Sequence, residues 1–199
     1  MPSTRAATIG ILGLAAGSCW ALTIRQMSGM DMGTQTELGS FSFFIAAWVP
    51  MMAAMMLPGA VPAISRLHTG ALAAPLFAIS YVAVWAVFGL AVYALYQPHG
   101  AAVAGALTVG AGLYELTPLK RECRRRCQRT VRSGFQFGFY CMGSSVGLMV
   151  MLVALGVMSV AWMAAVAALV LAQKLLPPRT AIDVPLALAI VVLGIVILV

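Results

Sequence analysis

Seven runs of apolar residues, at positions 8–25, 40–57, 71–96, 101–116, 137–155, 157–175 and 182–199, take up most of this chain and leave few folds open to it. At ~1.5 Å rise per residue each comes close to the ~20 residues that a helix needs to cross a bilayer, with the fourth run the shortest. In lipid, every backbone amide must be satisfied within its own segment or within a closed barrel. A barrel needs a two-residue alternation that these runs lack. The expected fold is therefore all-α: one polytopic integral membrane helix bundle over residues 1–199, of about seven transmembrane helices. No soluble domain or trailing tail is expected. Charged residues are only 9% of the chain, against roughly 25% in an ordinary soluble domain, too few to cover a water-facing surface.

Arg5 ahead of residues 9–16 imitates a signal peptide, and Ala16-Gly17-Ser18-Cys19 imitates a weak lipoprotein cleavage box. Both readings give way because the apolar run continues through Trp20, Leu22 and Ile24 to spanning length.

Charge supplies the orientation. The connection 117–136 carries seven of the twelve cations. If it faces the cytoplasm and the seven spans alternate, Arg5, Arg66, Lys174 and Arg179 also fall inside and only Arg25 falls outside. That bias predicts an N-terminus inside, a C-terminus outside and a multi-pass protein of a bacterial-type inner (cytoplasmic) membrane. Because the net charge of +7 sits beside apolar spans, it marks topology and lipid contact, not nucleic acid. Arg124, Arg125, Arg126 and Arg129 are the candidates for holding anionic lipid headgroups.

Within the spans, Ala102, Ala106 and Gly110 repeat small residues at every fourth position, which predicts close packing of an interior fourth helix. Pro50 predicts a kink in the second span. Trp85, Phe88, Tyr93 and Tyr96 predict a lipid-facing third span with its tyrosines near the interface.

No hydrolase, kinase, P-loop or dinucleotide motif is present, and an enzyme is not expected. His68 and His99 fall in loops on opposite sides of the membrane and read as solvated. Glu115, at the inner end of the fourth span, reads as a carboxylate neutralised by Lys120 or Arg121.

Soft donors are the unusual component. Thirteen methionines are present. Met51, Met52, Met55 and Met56 crowd the inner half of the second span, and Met27, Met30 and Met32 bracket Asp31 in an outer loop. Thioethers and thiolates suit Cu(I), although methionine also fills gaps between packed helices. Cys123 and Cys127, at i and i+4, would share one face of a helix. Their flanking arginines are expected to favour thiolate. Cys141 could join them if the basic segment folds back along the membrane surface. The other reading of this segment is lipid contact by the arginines, with the cysteines incidental.

Taken in order, these residues resemble a known family. Trp48-x-x-Met51-x-x-Ala54-Met55-Met56-Leu57-Pro58 followed by Pro62, Tyr81-x-x-x-Trp85, and Tyr114-Glu115-Leu116-Thr117-Pro118-Leu119-Lys120 followed by Cys123-x-x-x-Cys127 are similar to its landmarks. Gly138-x-Tyr140-Cys141-x-Gly143, Leu148-Met149, Gly156-Val157-Met158 and Trp162-Met163 continue the match. The family is a domain-of-unknown-function family described as predicted metal-binding integral membrane proteins. The resemblance implies a soft-metal site, with Cys123, Cys127, Cys141, Met51 and Met55 as this chain's candidate ligands and copper as the candidate metal. Phe137 stands where the family commonly has histidine, Ser144 and Ser145 where it has cysteines, Val146 where it has tryptophan, and Gln173 where it has glutamate. Positions 137, 141, 144 and 145 share one helical stripe, so the family's site is expected to be largely dismantled here. Two readings remain beside each other: copper handling in the bilayer, or a non-catalytic accessory subunit of a larger membrane complex that has lost the family's metal site.

Overall fold

The structure, a computed structural model, describes residues 2–29, 33–35, 37–66, 72–129, 133–176 and 180–199. Among these, eight α-helices and one short 3-10 turn account for the regular structure, with no strand: α1 (Pro2–Met27), α2 (Phe41–Ile64), α3 (Ala73–Leu95), α4 (Ala101–Glu115), α5 (Pro118–Arg129), α6 (Gly134–Gly156), α7 (Val160–Leu175) and α8 (Thr180–Leu198). The all-α expectation stands. Three helices, α2, α3 and α6, are long and apolar enough to cross a membrane, and a fourth crossing is added if α4 and α5 are one bent span. The apolar helices α7 and α8 are shorter.

Helices α2 and α6 form the centre. The first packs against α1, α3 and α7; the second packs against α3, α4, α5 and α7. Both bury most of their apolar window, whereas α3 leaves most of its own exposed. That outward face is not made by the aromatic residues expected to carry it: Phe88, Tyr93 and Tyr96 are half-buried against the core. Trp85 is fully buried, and its carbonyl accepts from Trp48 Nε1 at 2.9 Å. The second helix runs on past the expected end at residue 57 and takes Pro50, Pro58 and Pro62 into its interior. Proline removes a helix hydrogen bond, but dense packing on three neighbours holds the segment in place.

Residues 118–129, expected as part of a basic connection, form a helix set at 62° to α4. The break has a local cause. Proline restricts the residue before it and lacks an N–H, so Thr117-Pro118 ends one helix and opens the next. Thr117 Oγ1 donates to the Tyr114 carbonyl at 2.7 Å and accepts from the Lys120 amide at 3.4 Å. The return into α6 is capped by Ser133, whose hydroxyl accepts from the Gln136 amide.

Close packing of α4 is present, but on a different stripe from the one expected. Ala102, Ala106 and Gly110 are exposed. The contact with α8 uses Gly105, Gly112 and Gly194 instead: a Cβ on Gly194 would stand 2.7 Å from the Val109 amide nitrogen, and one on Gly105 would stand 2.8 Å from the Gly194 carbonyl. With backbone against backbone there is nothing to move aside. Gly194→Val is expected to destabilise the protein by about 1–3 kcal/mol, the usual range for overpacking. Gly110→Val, where nothing lies within 4 Å, should leave the unfolding midpoint in detergent unchanged. Equal midpoints for the two variants would refute this account of the α4–α8 contact.

Candidate functional site

The bend between α4 and α5 folds the basic helix back against α6. That places Cys127, in the last turn of α5, beside Cys141 of α6. The two side chains are neighbours, and both are buried. Around them lie the side chains of three further helices. Tyr81 of α3 brings its Oη to 3.0 Å from Cys141 Sγ. Lys174 of α7 donates from Nζ to Tyr81 Oη at 2.9 Å and approaches Met56 Sδ of α2 at 3.7 Å. Lys174 also lies beside Cys141. Its stem crosses Gly59, where any Cβ would overlap it.

Two thiols, one thioether, one phenol and one ammonium thus converge from five helices. An opening of about 420 Å³ reaches two of them, Cys127 and Lys174, and is lined also by Phe137, Arg66, Gln128 and Arg129 among others. Phe137 packs its ring on Phe77 and Tyr81 and so forms an apolar wall beside the thiols.

The donor set is soft. Thiolate and thioether favour a monovalent soft ion such as Cu(I) over hard divalent cations. Among the described residues no group of three or more His, Cys, Asp or Glu side chains is gathered as a metal site. A three-donor centre here therefore has to include the thioether of Met56. Lys174 would balance the charge of a bis-thiolate in a place with little water. A buried negative charge without such a partner is costly.

The candidate ligands are not all gathered at this centre. Cys127 and Cys141 are the pair that meets. Cys123, one turn back on α5, points to the backbone of Gly143 instead, where a Cβ would be 2.8 Å from its Sγ. Met51 and Met55 are buried in α2, and the thioether that reaches Lys174 belongs to their neighbour Met56. The arginines do not activate the thiols as expected. Hydrogen bonding with Cys141 and burial push Cys127 well above the usual thiol range. Burial also raises Cys123, against the smaller opposing pull of Arg126. Both are thiols until a metal displaces their protons. The Met30-Asp31-Met32 loop and His68 lie outside the described residues. His99 shares its Nε2 with the Ala154 carbonyl at 3.1 Å and its Nδ1 with the Gln97 carbonyl at 2.9 Å.

A second polar cluster braces this one. Glu115 forms a buried ion pair with Lys120 and accepts from Gln173 Nε2 at 2.7 Å. Neutralisation by Lys120 is the outcome expected from the sequence. Burial lowers the Lys120 pKa, and Glu115 partly restores it. Arg124 departs from its expected place at the lipid surface. It is buried, pairs with Asp183 of α8 at 2.5 Å, and donates to the carbonyls of Gln173 and Leu176. Its guanidinium is committed to joining α5, α7 and α8. Arg125, Arg126 and Arg129 do face outward, with Arg126 paired to Glu122. Because Gln173 and Lys174 are adjacent, the end of α7 is anchored at the carboxylate on one side and reaches the thiols on the other.

Sequence reasoning missed Met56, Tyr81 and Lys174 as members of the centre. The signals were present: Met56 ends the methionine cluster, Tyr81 opens Tyr81-x-x-x-Trp85, and Lys174 is a lone cation at the end of an apolar run.

Residues 45–197 match the model of a family, PpoB2, described as "Copper chaperone". No curated protein matches the chain. No solved structure matches it either.

Proposed function

The chain belongs to the copper chaperone family, and from that premise we propose that it holds Cu(I) as cargo between Cys127 and Cys141, with Met56 as third donor. The observation that carries this reading is that Cys127 and Cys141 lie side by side, with Lys174 beside Cys141 and in contact with the Met56 thioether, although the three donors come from α5, α6 and α2. Separate helices have no local reason to bring soft donors together. Tyr81 and Lys174 orient and charge-balance the thiols, and the Glu115 and Arg124 ion pairs hold α5 and α7 in register around them. No chemical step beyond ligand exchange is needed, so the protein acts as a carrier and not as an enzyme. Wild-type protein loaded anaerobically with Cu(I) and desalted should retain about one equivalent; a loss to below about a tenth would end the copper reading. The accessory-subunit reading rests on the substitutions at Phe137, Ser144, Ser145 and Gln173, and a donor set that uses none of those positions weakens it.

We place this centre at the cytoplasmic face of a multi-pass bacterial-type inner membrane protein, with α1–α4 and α6–α8 as seven spans and α5 on the inner surface. The apolar lengths of α2, α3 and α6 support a bilayer setting, and the cation bias supports the orientation. Arg125, Arg126 and Arg129 would then meet anionic headgroups. Val199→Cys, in a chain otherwise lacking cysteine, should react with an impermeant thiol reagent added outside intact cells. Arg125→Cys in the same background should react only after the membrane is opened, and the reverse pattern would invert the topology.

A further inference from the structure

Lys174 differs from the other cations packed inside the bundle. Lys120 is matched by Glu115 and Arg124 by Asp183. Among the described residues, no carboxylate stands within ion-pair distance of Lys174. Its partners are neutral: Nζ donates to Tyr81 Oη at 2.9 Å, stands 5.6 Å from the centre of that ring and lies 3.7 Å from the Met56 thioether. Cys141 is beside it, and its charge also reaches Cys127. The stem crosses Gly59, where a Cβ would overlap it, so a glycine at that position is what lets the ammonium reach the thiols. A half-buried positive charge is thus held by groups that orient it and do not cancel it.

A charge shielded from water is costly until it meets one of opposite sign. What it meets here depends on the ion between the thiols. Two thiolates around a monovalent ion carry one net negative charge, and Lys174 brings the centre to zero. Around a divalent ion the same two thiolates are already neutral, and Lys174 leaves a full positive charge beside the metal. Softness alone does not draw this distinction, because thiolates also bind Zn(II). Resting on the copper reading above, we propose that Lys174 sets the valence of the cargo: it favours soft monovalent ions between Cys127 and Cys141 and turns away divalent ones. Over a few ångströms, in surroundings less polar than water, one unit charge changes affinity by about tenfold or more. Tyr81 and Gly59 serve this selection by fixing where the ammonium stands.

The test uses the full-length chain in detergent and compares Cu(I) with Cd(II), a divalent ion that thiolates also bind, each in competition with a chelator. Wild type should hold Cu(I) more tightly than Cd(II). Lys174→Gln should narrow that margin by about tenfold or more, with Cu(I) binding weaker and Cd(II) binding tighter. Lys174→Arg keeps the charge and should keep the wild-type margin. Gly59→Ala displaces the stem without altering its charge, and should shift the margin in the same direction as Lys174→Gln by a smaller factor. A merely structural role would weaken both ions together, so a parallel fall in the two affinities would overturn the proposal. A margin unchanged by both Lys174→Gln and Gly59→Ala would overturn it too, and in either case the copper reading would stand. Failure of the wild type to retain Cu(I) would remove the copper reading itself.

Discussion

Replacing Cys127 and Cys141 by serine is expected to abolish Cu(I) retention, from about one equivalent to less than a tenth. Each substitution removes a soft anionic donor and leaves a hard, weakly coordinating hydroxyl of nearly the same size. Neither serine is expected to unfold the protein, because each hydroxyl keeps a polar neighbour: Tyr81 Oη at position 141, and the partner side chain across the pair. Cys123→Ser is the internal control. Its thiol faces Gly143 and stands apart from the pair, so copper retention should persist. Met56→Leu should weaken binding without ending it, since two thiolates suffice for linear Cu(I). Competition against a chromophoric Cu(I) chelator reads all three variants on one scale. Retention by the double serine variant equal to wild type would place the metal elsewhere, with the Met30-Asp31-Met32 loop the next candidate.

Asp183→Ala should produce the largest loss of stability. The Arg124 guanidinium is buried and its charge is met by this one carboxylate, its other contacts being the carbonyls of Gln173 and Leu176. Removing one partner of a buried pair leaves an uncompensated charge and typically costs about 3–5 kcal/mol. Replacing both, as in Arg124→Leu with Asp183→Leu, should recover much of that loss, because two well-packed apolar groups carry no desolvation penalty. The same pair fixes α5 against α7 and α8, so the single variant should also loosen the Cys127–Cys141 approach and weaken copper binding. Thermal unfolding of the three proteins in one detergent separates the cases. A single variant as stable as wild type would show that Arg124 finds water or another partner, contrary to its burial.

Much of the bundle can be read directly from the chain. Apolar runs of spanning length mark the helices, and the cations along 117–136 mark a basic connection between them, which the structure folds as a helix over 118–129. The Thr117-Pro118 break and the Ser133 cap are local signals that the backbone obeys. Glu115 with Lys120 is legible too, since a carboxylate near the end of an apolar run needs a nearby cation. By contrast, spacing alone points to the wrong small-residue stripe of α4. Ala102, Ala106 and Gly110 have the right spacing, but Gly105 and Gly112 do the packing. Spacing tells that a helix can be approached closely, and only the neighbour tells from which side. Arg124 shows the same limit: nothing in a run of three arginines says which one turns inward.

The candidate centre lies further beyond reach of the sequence. Residue types alone marked Cys127 and Cys141 as donors, because thiols beside methionines admit few other chemistries. Helical periodicity pairs Cys123 with Cys127, since that is the pairing visible within one helix. The tertiary structure pairs Cys127 with Cys141 and adds Met56, Tyr81 and Lys174 from three other helices. The reason is physical. Periodicity describes the faces of a single helix, whereas the 62° bend at Thr117-Pro118 and the buried ion pairs of Glu115 and Arg124 set which faces meet. The sequence by itself determined an all-helical chain, its basic segment and the soft donors; the packing of α5 back onto α6 decided which of those donors stand together.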